Sequence, residues 1–297
     1  MEAIWQWGID FIHTVQLVHG PALDAVFKAI TFLGEEDFFM ILLPLMLWCV
    51  DFAVGMRLGV VFLVSTYFND GLKSLFAHPR PFELDPTVKL HDAGGYGLPS
   101  GHSQSAVAVW GTIAAEFRER WMWIIAVLLM VLIGFSRIYL GVHFPTDVLG
   151  GWAVGVLFLV IYLAWGRRVE AWLTGSGMAV QIALAVVVPL ALLLVHTSET
   201  ATSVMGVLMG VAVGGILAKR FAPFSAAGPL WQRAVRLLVG AIVIMGLRYG
   251  LKAIFPSEGE PLYFLMHTAR YGIIGLWAGL GAPWLFVRLR LASSTGE

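Results

Sequence analysis

The chain alternates long apolar stretches with short polar ones. Nine apolar segments follow the acidic triplet at residues 35–37, and each is close to the ~20 residues that a helix needs to cross the hydrocarbon core. They cover approximately residues 38–55, 57–77, 100–116, 122–137, 146–165, 178–196, 202–218, 235–255 and 262–287. The pattern predicts an all-α fold, a polytopic transmembrane helix bundle with about nine spans.

The first 33 residues are amphipathic instead of uniformly apolar. Gln6, Asp10 and His13 share one helical face, and the stretch 21–33 carries its own polar positions. We expect a short N-terminal helix that lies in the membrane interface. The first residues show neither a basic region nor a small-residue cleavage site, so we expect no cleaved signal peptide.

Composition strengthens the membrane assignment. Hydrophobic residues make up 59% of the chain and charged residues only 13%, against roughly 25% charged in soluble domains. The formal net charge is zero, so nothing indicates a nucleic-acid partner. The single cysteine, Cys49, lies in an apolar run and excludes an intrachain disulfide. Composition leaves the oligomeric state undetermined.

The distribution of cations predicts an orientation in the membrane. If the spans alternate, eleven Lys and Arg residues lie on the side opposite His143 and only two, Lys28 and Lys89, lie beside it. Cations are retained on the cytoplasmic side of membrane proteins. We therefore expect the side with His143 to face the periplasm or exterior and the C-terminus to be cytoplasmic.

A first polar cluster lies where the fourth segment ends and the fifth begins. Pro145 favours a helix start, so Asp147 falls in the first turn and His143 at its rim. A carboxylate there can hold the proton of one imidazole nitrogen and leave the other free to attack. Arg137, at the end of the preceding segment, can clamp an oxyanion. The alternative is an ordinary helical corner with a polar rim.

A second cluster ends the second segment. Lys73 and Arg80 are seven residues apart, but Pro79 and Pro81 are expected to break the helix between them. These two residues could bind an anion together. Alternatively, they are cations that extend from a membrane end towards water.

A third cluster, Pro99-Ser100-Gly101-His102, begins the third segment. Ser100 is a favourable N-cap, and Gly101 lets a ligand approach the backbone. The free N–H groups of such a helix start favour a phosphate. The alternative is plain capping beside an unrelated histidine.

Alternating spans bring the three clusters to one side of the membrane. Together they supply three cations, two histidines, a carboxylate, a serine and an exposed helix start. Phosphoryl transfer through a phosphohistidine needs such a set, since cations and N–H groups stabilise the phosphoryl oxygens while one histidine attacks and another protonates the leaving oxygen.

The order K-x6-R-P, P-S-G-H and S-R-x5-H-x3-D resembles the signature of the type 2 phosphatidic acid phosphatase superfamily, whose core is shared with vanadium-dependent haloperoxidases. The resemblance covers roughly residues 20–166. It implies His143 as nucleophile, Asp147 as its orienting partner and His102 as general acid. It also implies phosphate binding, without a metal or other cofactor, by Lys73, Arg80, Ser100, Gly101 and Arg137.

A metal site is the competing use of the two histidines and Asp147, since two His and one carboxylate can form a facial triad. Three cations at the same place would repel a divalent ion. We therefore expect no metal.

The C-terminal half adds two arginines inside apolar segments. Arg248 and Arg270 reach similar depths, where charge is costly and usually functional or paired. We expect them to form a lipid-handling site that opens to the same face as His143. The alternative, for the neighbouring Lys252, is a pair with the acidic loop 258–260. We divide the chain into a catalytic membrane domain, residues 1–170, and a four-span module of unknown role, residues 171–297.

These observations predict an integral-membrane lipid phosphate phosphatase that acts on a phosphomonoester or pyrophosphate. Candidate substrates are phosphatidate, phosphatidylglycerophosphate, undecaprenyl diphosphate and lipid A phosphates. A phosphotransferase would pass the phosphoryl group to a second lipid instead of water. A lipid-phosphate carrier or flippase would use the C-terminal spans and need only the cations.

Overall fold

The structure, a computed structural model, describes residues 2–294. Within this range it is all-helical, with 80% of the residues in helices and no strand. The α-helices are α1 (Glu2–Gln16), α2 (Pro21–Phe32), α3 (Glu36–Leu45), α4 (Phe52–Phe76), α5 (Pro81–Leu84), α6 (Gly101–Phe117), α7 (Arg120–Tyr139), α8 (Pro145–Ile161), α9 (Arg167–Gly175), α10 (Met178–Val195), α11 (Glu199–Phe221), α12 (Leu230–Ile254), α13 (Tyr263–Leu276) and α14 (Ala282–Arg288). The predicted all-α class is confirmed for the described residues.

Among residues 2–294, six helical stretches are long and apolar enough to cross a membrane, which supports an integral membrane protein. They are Phe52–Leu84, Arg120–Tyr139, Pro145–Gly175, Met178–Val195, Glu199–Phe221 and Leu230–Ile254. Each corresponds to one of the nine segments predicted from the apolar pattern.

The other three predicted spans are shorter or interrupted. The first contains Pro44 in α3 and continues as a π-helical turn, Met46–Val50. The second is α6, whose 17 residues extend ~26 Å at 1.5 Å per residue. The third is divided into α13, a π-helical turn at Trp277–Gly281 and α14. The count of nine spans therefore stays a prediction.

The chain forms two compact units. The first comprises the chain up to Phe39 together with Phe68–Gly166, and the second comprises Met40–Tyr67 and the chain from Arg167 onward. Helix α4 is continuous through the change of unit at residue 67. The functional boundary that we predict after residue 170 is a different kind of division and stays a prediction.

In the first unit, the N-terminal helix packs on the turn between α7 and α8. A buried apolar cluster joins them: Ile9, Ile12, Val88, Ile138, Phe144 and Val148. The approach is close, since a Cβ added at Gly8 would lie 2.5 Å from the Phe144 ring. The Gln16 amide donates to the carbonyl oxygens of Val88 and Tyr139, at 2.8 and 2.7 Å. Helix α1 therefore supports the segment that carries His143.

In the second unit, α11 and α13 pack through small residues. A Cβ at Gly206 would lie 2.5 Å from the Thr268 carbonyl oxygen, and one at Gly210 would lie 2.0 Å from that of Gly272. Only glycine permits this backbone approach, as at other membrane helix pairs. Because the contacts advance along both helices in the same order, α11 and α13 run parallel.

Candidate active site

The turn between α7 and α8 has a backbone that only particular residues allow. Helix α7 ends at Tyr139, and α8 begins at Pro145, as predicted. Gly141 has φ +69°, and a Cβ there would lie 1.8 Å from the Val88 carbonyl oxygen. Glycine is thus required at this position. The turn brings the amide of His143 back to the Arg137 carbonyl oxygen, at 3.3 Å.

His143 and Asp147 have the relation that their spacing predicts. The imidazole Nδ1 lies 3.3 Å from Asp147 Oδ2, which also accepts the Phe144 N–H at 2.9 Å. The other ring nitrogen, Nε2, lies 3.3 Å from Nη1 of Arg80. A guanidinium can only donate, so Nε2 accepts and the proton is on Nδ1, facing the carboxylate. The nucleophilic lone pair is therefore directed at a cation.

The surroundings keep His143 neutral. Its side chain is almost fully buried. Burial, and then the positive charges of Arg80, Lys73 and Arg137, lower the pKa of His143 well below its usual value. Cations from two of the three sequence clusters, together with His102 from the third, therefore act on one imidazole.

Backbone carbonyls of the 94–96 loop hold two of these cations. Arg80 donates from Nε to the Gly95 oxygen at 2.7 Å and from Nη2 to the Gly94 oxygen at 2.5 Å. The Lys73 ammonium donates to the Tyr96 oxygen at 2.5 Å. Helix α4 ends at residue 76, before the first proline of the motif, as predicted.

The start of α6 is tied to the start of α8. Ser100 is the N-cap, and its own N–H donates to the Asp147 carbonyl oxygen at 2.9 Å. A Cβ at Gly101 would lie 3.1 Å from Oδ1 of Asn69, so this helix start is closely packed. The Nε2 atom of His102 is buried and has no partner among the described residues. It is therefore free to exchange a proton with a ligand.

Arg137 projects from the last turn of α7 and is 3% exposed. Its Nη1 donates to the Thr31 hydroxyl at 2.6 Å, while its buried Nε has no partner within residues 2–294. A buried guanidinium N–H without an acceptor is costly, which favours an oxyanion beside it.

The arrangement does not resemble a metal site. Across residues 2–294, no group of three or more His, Cys, Asp and Glu side chains could hold a metal ion. The facial triad considered from the sequence therefore lacks a suitable geometry here. Metal independence itself stays a prediction.

Sequence reasoning missed one side chain at the centre of the site. His78 lies between Lys73 and Arg80 in the K-x6-R-P motif, and its Nδ1 is 3.2 Å from Oδ1 of Asp147. The presence of a histidine inside that motif could have indicated a role in the site, but the sequence prediction used only the two cations at the ends of the motif.

The arginines predicted to handle lipid belong to the second unit. Arg248 is half-buried, with Nη1 at 3.2 Å from the Met40 sulfur. Arg270 is only 8% exposed. Their surroundings therefore differ, and a shared lipid-handling site stays a prediction.

Two family models match the chain in succession. Residues 54–171 match the PAP2 superfamily, and residues 202–294 match the PAP2 superfamily phosphatase transmembrane extension. The second match covers spans about which the motifs are uninformative.

Relatives with known names agree with the family models. Phosphatidylglycerophosphatase B of Bacillus subtilis is 32% identical over 167 residues, which are 52% of this chain and 80% of that protein. Lipid phosphate phosphatase delta of Arabidopsis thaliana is 26% identical over 57% of this chain, but the match spans only 44% of the relative's length.

A solved structure shows the same fold. The crystal structure of a transmembrane PAP2 type phosphatidylglycerolphosphate phosphatase from Bacillus subtilis is 28% identical. It aligns with a TM-score of 0.51 over 57% of this chain and 88% of its own. Since the three motifs meet around His143, and family models, relatives and a solved fold all agree, the chain belongs to the PAP2 superfamily.

Proposed function

We propose that this protein is a lipid phosphate phosphatase that works through a phosphohistidine on His143. The orientation of the imidazole carries the proposal. Its Nδ1 proton faces Asp147, and its Nε2 lone pair lies 3.3 Å from the Arg80 guanidinium. A phosphoryl group drawn to the cations would meet that lone pair.

In the first step, Nε2 of His143 attacks phosphorus and a P–N bond forms. The bond from phosphorus to the leaving oxygen breaks, and His102 gives that oxygen a proton. The ring of His143 becomes cationic, and the Asp147 carboxylate stabilises it. Lys73, Arg80, Arg137, the Ser100 hydroxyl and the Gly101 N–H group stabilise the phosphoryl oxygens, in the roles that the motifs imply.

In the second step, water attacks phosphorus while His102 takes its proton. The P–N bond breaks, inorganic phosphate leaves, and His143 returns to its neutral form. Each proton and each charge is transferred between the substrate, water and side chains of this chain, and no step requires a metal. The substrate is a lipid phosphomonoester or pyrophosphate, with phosphatidylglycerophosphate and undecaprenyl diphosphate as the first candidates to test.

Trapping the phosphoenzyme tests the mechanism. Wild type is mixed with a lipid substrate carrying a labelled terminal phosphate and quenched in alkaline denaturant, because a P–N bond is labile in acid. We expect label on the wild-type chain, its loss in mild acid, and none on His143→Ala. Full turnover by His143→Ala would end the proposal.

Phosphate release by purified protein, with no acceptor lipid added, separates the three candidate functions. A phosphatase releases phosphate, a phosphotransferase releases it only slowly until an acceptor is supplied, and a carrier does not release it. The charge-neutral His143 beside Asp147 favours chemistry, since a carrier has no need of an oriented imidazole.

The location in the membrane completes the proposal. We assign the catalytic face to the periplasm or exterior, the C-terminus to the cytoplasm, and nine spans to the chain. The eleven-to-two asymmetry of cations supports this orientation.

A further inference from the structure

A polar cluster lies between α11 and α13, away from the residues used above. It consists of Glu199 and Thr202 on α11 and Tyr263, His267 and Arg270 on α13. The Tyr263 hydroxyl donates to the Glu199 carboxylate. The Thr202 hydroxyl oxygen lies 2.9 Å from Nδ1 of His267. Because the two helices run parallel, these contacts occupy the first turns of both.

Most of the cluster satisfies its own hydrogen bonds. The Thr202 hydroxyl donates to the Ser198 carbonyl oxygen at 2.7 Å, so it must accept the Nδ1 proton of His267. The Glu199 carboxylate already accepts from Tyr263. The remaining member makes no ion pair among the described residues.

Arg270 is that remaining member. It is 8% exposed, and its buried Nε has no hydrogen-bond partner among the described residues. Within residues 2–294 its guanidinium makes no ion pair. Its charge interacts with Tyr263 and His267, and its guanidinium carbon lies 5.1 Å from the centre of the Tyr271 ring. An aromatic face attracts a cation but does not neutralise it. An unpaired charge this deeply buried is costly and indicates a missing anion.

We propose that Arg270 binds a phosphate-type oxyanion, either the phosphate of an anionic phospholipid or free phosphate. The planar guanidinium suits two phosphate oxygens at once. Arg270 lies seven residues into α13, ~10 Å from the start of that helix. The bound anion would neutralise the buried charge of Arg270, which makes anionic phospholipid a stabilising ligand of the second unit, independently of catalysis.

The sign of a stability change tests this site. Delipidated protein in a neutral detergent is compared by thermal unfolding as wild type, Arg270→Met and Arg288→Met. Arg288 is the matched control, an exposed arginine 5.3 Å from the Trp284 ring. Each protein is measured alone, with phosphatidylglycerol, and with inorganic phosphate. Methionine keeps the unbranched stem of the side chain as far as the position of Nε and removes the charge.

Without ligand, Arg270→Met should unfold at the same or a higher temperature than wild type, since it removes an unpaired buried charge. Phosphatidylglycerol at about 100 times its Kd should raise the wild-type midpoint by roughly 5–10 °C, and that of Arg288→Met equally. Arg270→Met should gain less than 1–2 °C (about the error of such scans). A rise with inorganic phosphate would identify free phosphate as an alternative source of the anion.

Two results would overturn the site. If Arg270→Met is less stable than wild type without ligand, the arginine already has a partner in the protein. If all three proteins respond equally to phosphatidylglycerol, the lipid binds elsewhere.

A separate observation concerns His78, and the inference from it rests on the proposed function. The Trp5 indole N–H donates to Nε2 of His78 at 2.7 Å. An indole nitrogen can only donate, so Nε2 of His78 accepts and the proton is on Nδ1. That Nδ1 is 3.2 Å from Oδ1 of Asp147, within ion-pair distance, although neither buried atom makes a hydrogen bond within residues 2–294.

We infer that His78 is a positioning residue that holds Asp147 in register with His143. One carboxylate oxygen then faces His143 and the Phe144 N–H, while the other faces His78. Trp5 fixes the tautomer of His78 from α1. The N-terminal helix therefore acts on the nucleophile through two side chains.

Amide substitutions separate positioning from packing. The side-chain nitrogen of Asn falls near Nδ1 of histidine and that of Gln near Nε2, so His78→Asn keeps the donor to Asp147 and His78→Gln does not. We expect His78→Gln and His78→Phe to lose roughly 10- to 100-fold in kcat with little change in KM. His78→Asn should stay within about 5-fold of wild type, as roughly one neutral hydrogen bond, that from Trp5, is lost.

In an Asp147→Asn background, His78→Phe should lower kcat by a further factor of less than about 2, because the partner of His78 is already altered. Equal losses in His78→Asn and His78→Phe, or full additivity with Asp147→Asn, would overturn the positioning role. The variant His143→Ala distinguishes failure of the proposed function from failure of this inference. An active His143→Ala would refute the proposed function. An inactive His143→Ala together with a fully active His78→Phe would refute only the positioning role of His78.

Discussion

Replacing Asp147 by asparagine should slow catalysis without removing substrate binding. The change keeps the size of the side chain and deletes its charge. In the folded protein, Asp147 Oδ2 lies 3.3 Å from the ring that becomes cationic when His143 is phosphorylated. The Asp147 side chain contacts His143, Phe144 and His78. Its charge also interacts with those of Lys73 and Arg80.

The magnitude follows from that distance. A unit charge pair at 3.3 Å attracts by about 5 kcal/mol at an effective dielectric constant of about 20. This value is an upper bound, because the Asn dipole recovers part of it when its oxygen accepts from His143. A net loss of about 3–4 kcal/mol corresponds to about 10²- to 10³-fold in kcat.

The amide also creates a conflict that a carboxylate does not have. One side of Asp147 receives N–H groups of Phe144 and His143, and the other side faces the Nδ1 proton of His78. An amide has a single oxygen, so one of its N–H groups must face another donor. Asparagine therefore holds the His143 ring less well in place and also lacks the charge, so the decrease in kcat should lie closer to 10³-fold than to 10²-fold.

The assay is steady-state hydrolysis of a short-chain lipid phosphate in detergent, with kcat and KM determined separately. Asp85→Asn is the matched control, the same chemical change at a carboxylate on the first unit's surface that pairs with His13. It should retain wild-type kcat. If Asp147→Asn loses less than about 3-fold in kcat, or changes only KM, then Asp147 does not stabilise a cationic His143 and the reasoning is wrong.

Four further outcomes test the same structure. His102→Ala should lose about 10²–10⁴-fold on lipid substrate but much less on p-nitrophenyl phosphate, whose leaving group needs no proton, and equal losses would make His102 a binding residue. Because the pKa of His143 is lowered, its ring stays neutral and nucleophilic down to that pKa. The decrease of kcat/KM on the acid side of the pH profile should therefore have its midpoint below pH 6.5. A midpoint at pH 7 or above would contradict a neutral His143. Activity should survive EDTA and be inhibited by vanadate, whereas loss in EDTA with rescue by a divalent ion would refute metal independence. The variant Asp92→Cys, at a side chain that is 97% exposed, should react with an impermeant maleimide in intact cells. Wild type, with only the buried Cys49, is the control. Labelling only after lysis would show that the predicted orientation is wrong.

The sequence by itself determined the helical class, the membrane location and the site motifs. Apolar segments of near-membrane length have one stable solution, because backbone groups in hydrocarbon must be satisfied within each helix. The pairing of His143 with Asp147 was equally predictable from the sequence, since Pro145 fixes where α8 begins and places Asp147 in its first turn. Local rules of this kind depend only on neighbours in the chain.

Only the tertiary structure decided which side chains complete the site. Trp5 and His78 are 73 residues apart, and no local rule joins an N-terminal helix to the partner of the nucleophile. Arg270 appeared from sequence to share its role with Arg248, but packing buries the first and leaves the second half-exposed beside a sulfur. The π-helical turns at Met46–Val50 and Trp277–Gly281 were also hidden, since hydropathy measures apolar length and is insensitive to how the backbone hydrogen bonds are arranged. Long-range packing decides these features because burial and pairing depend on what the fold brings into contact.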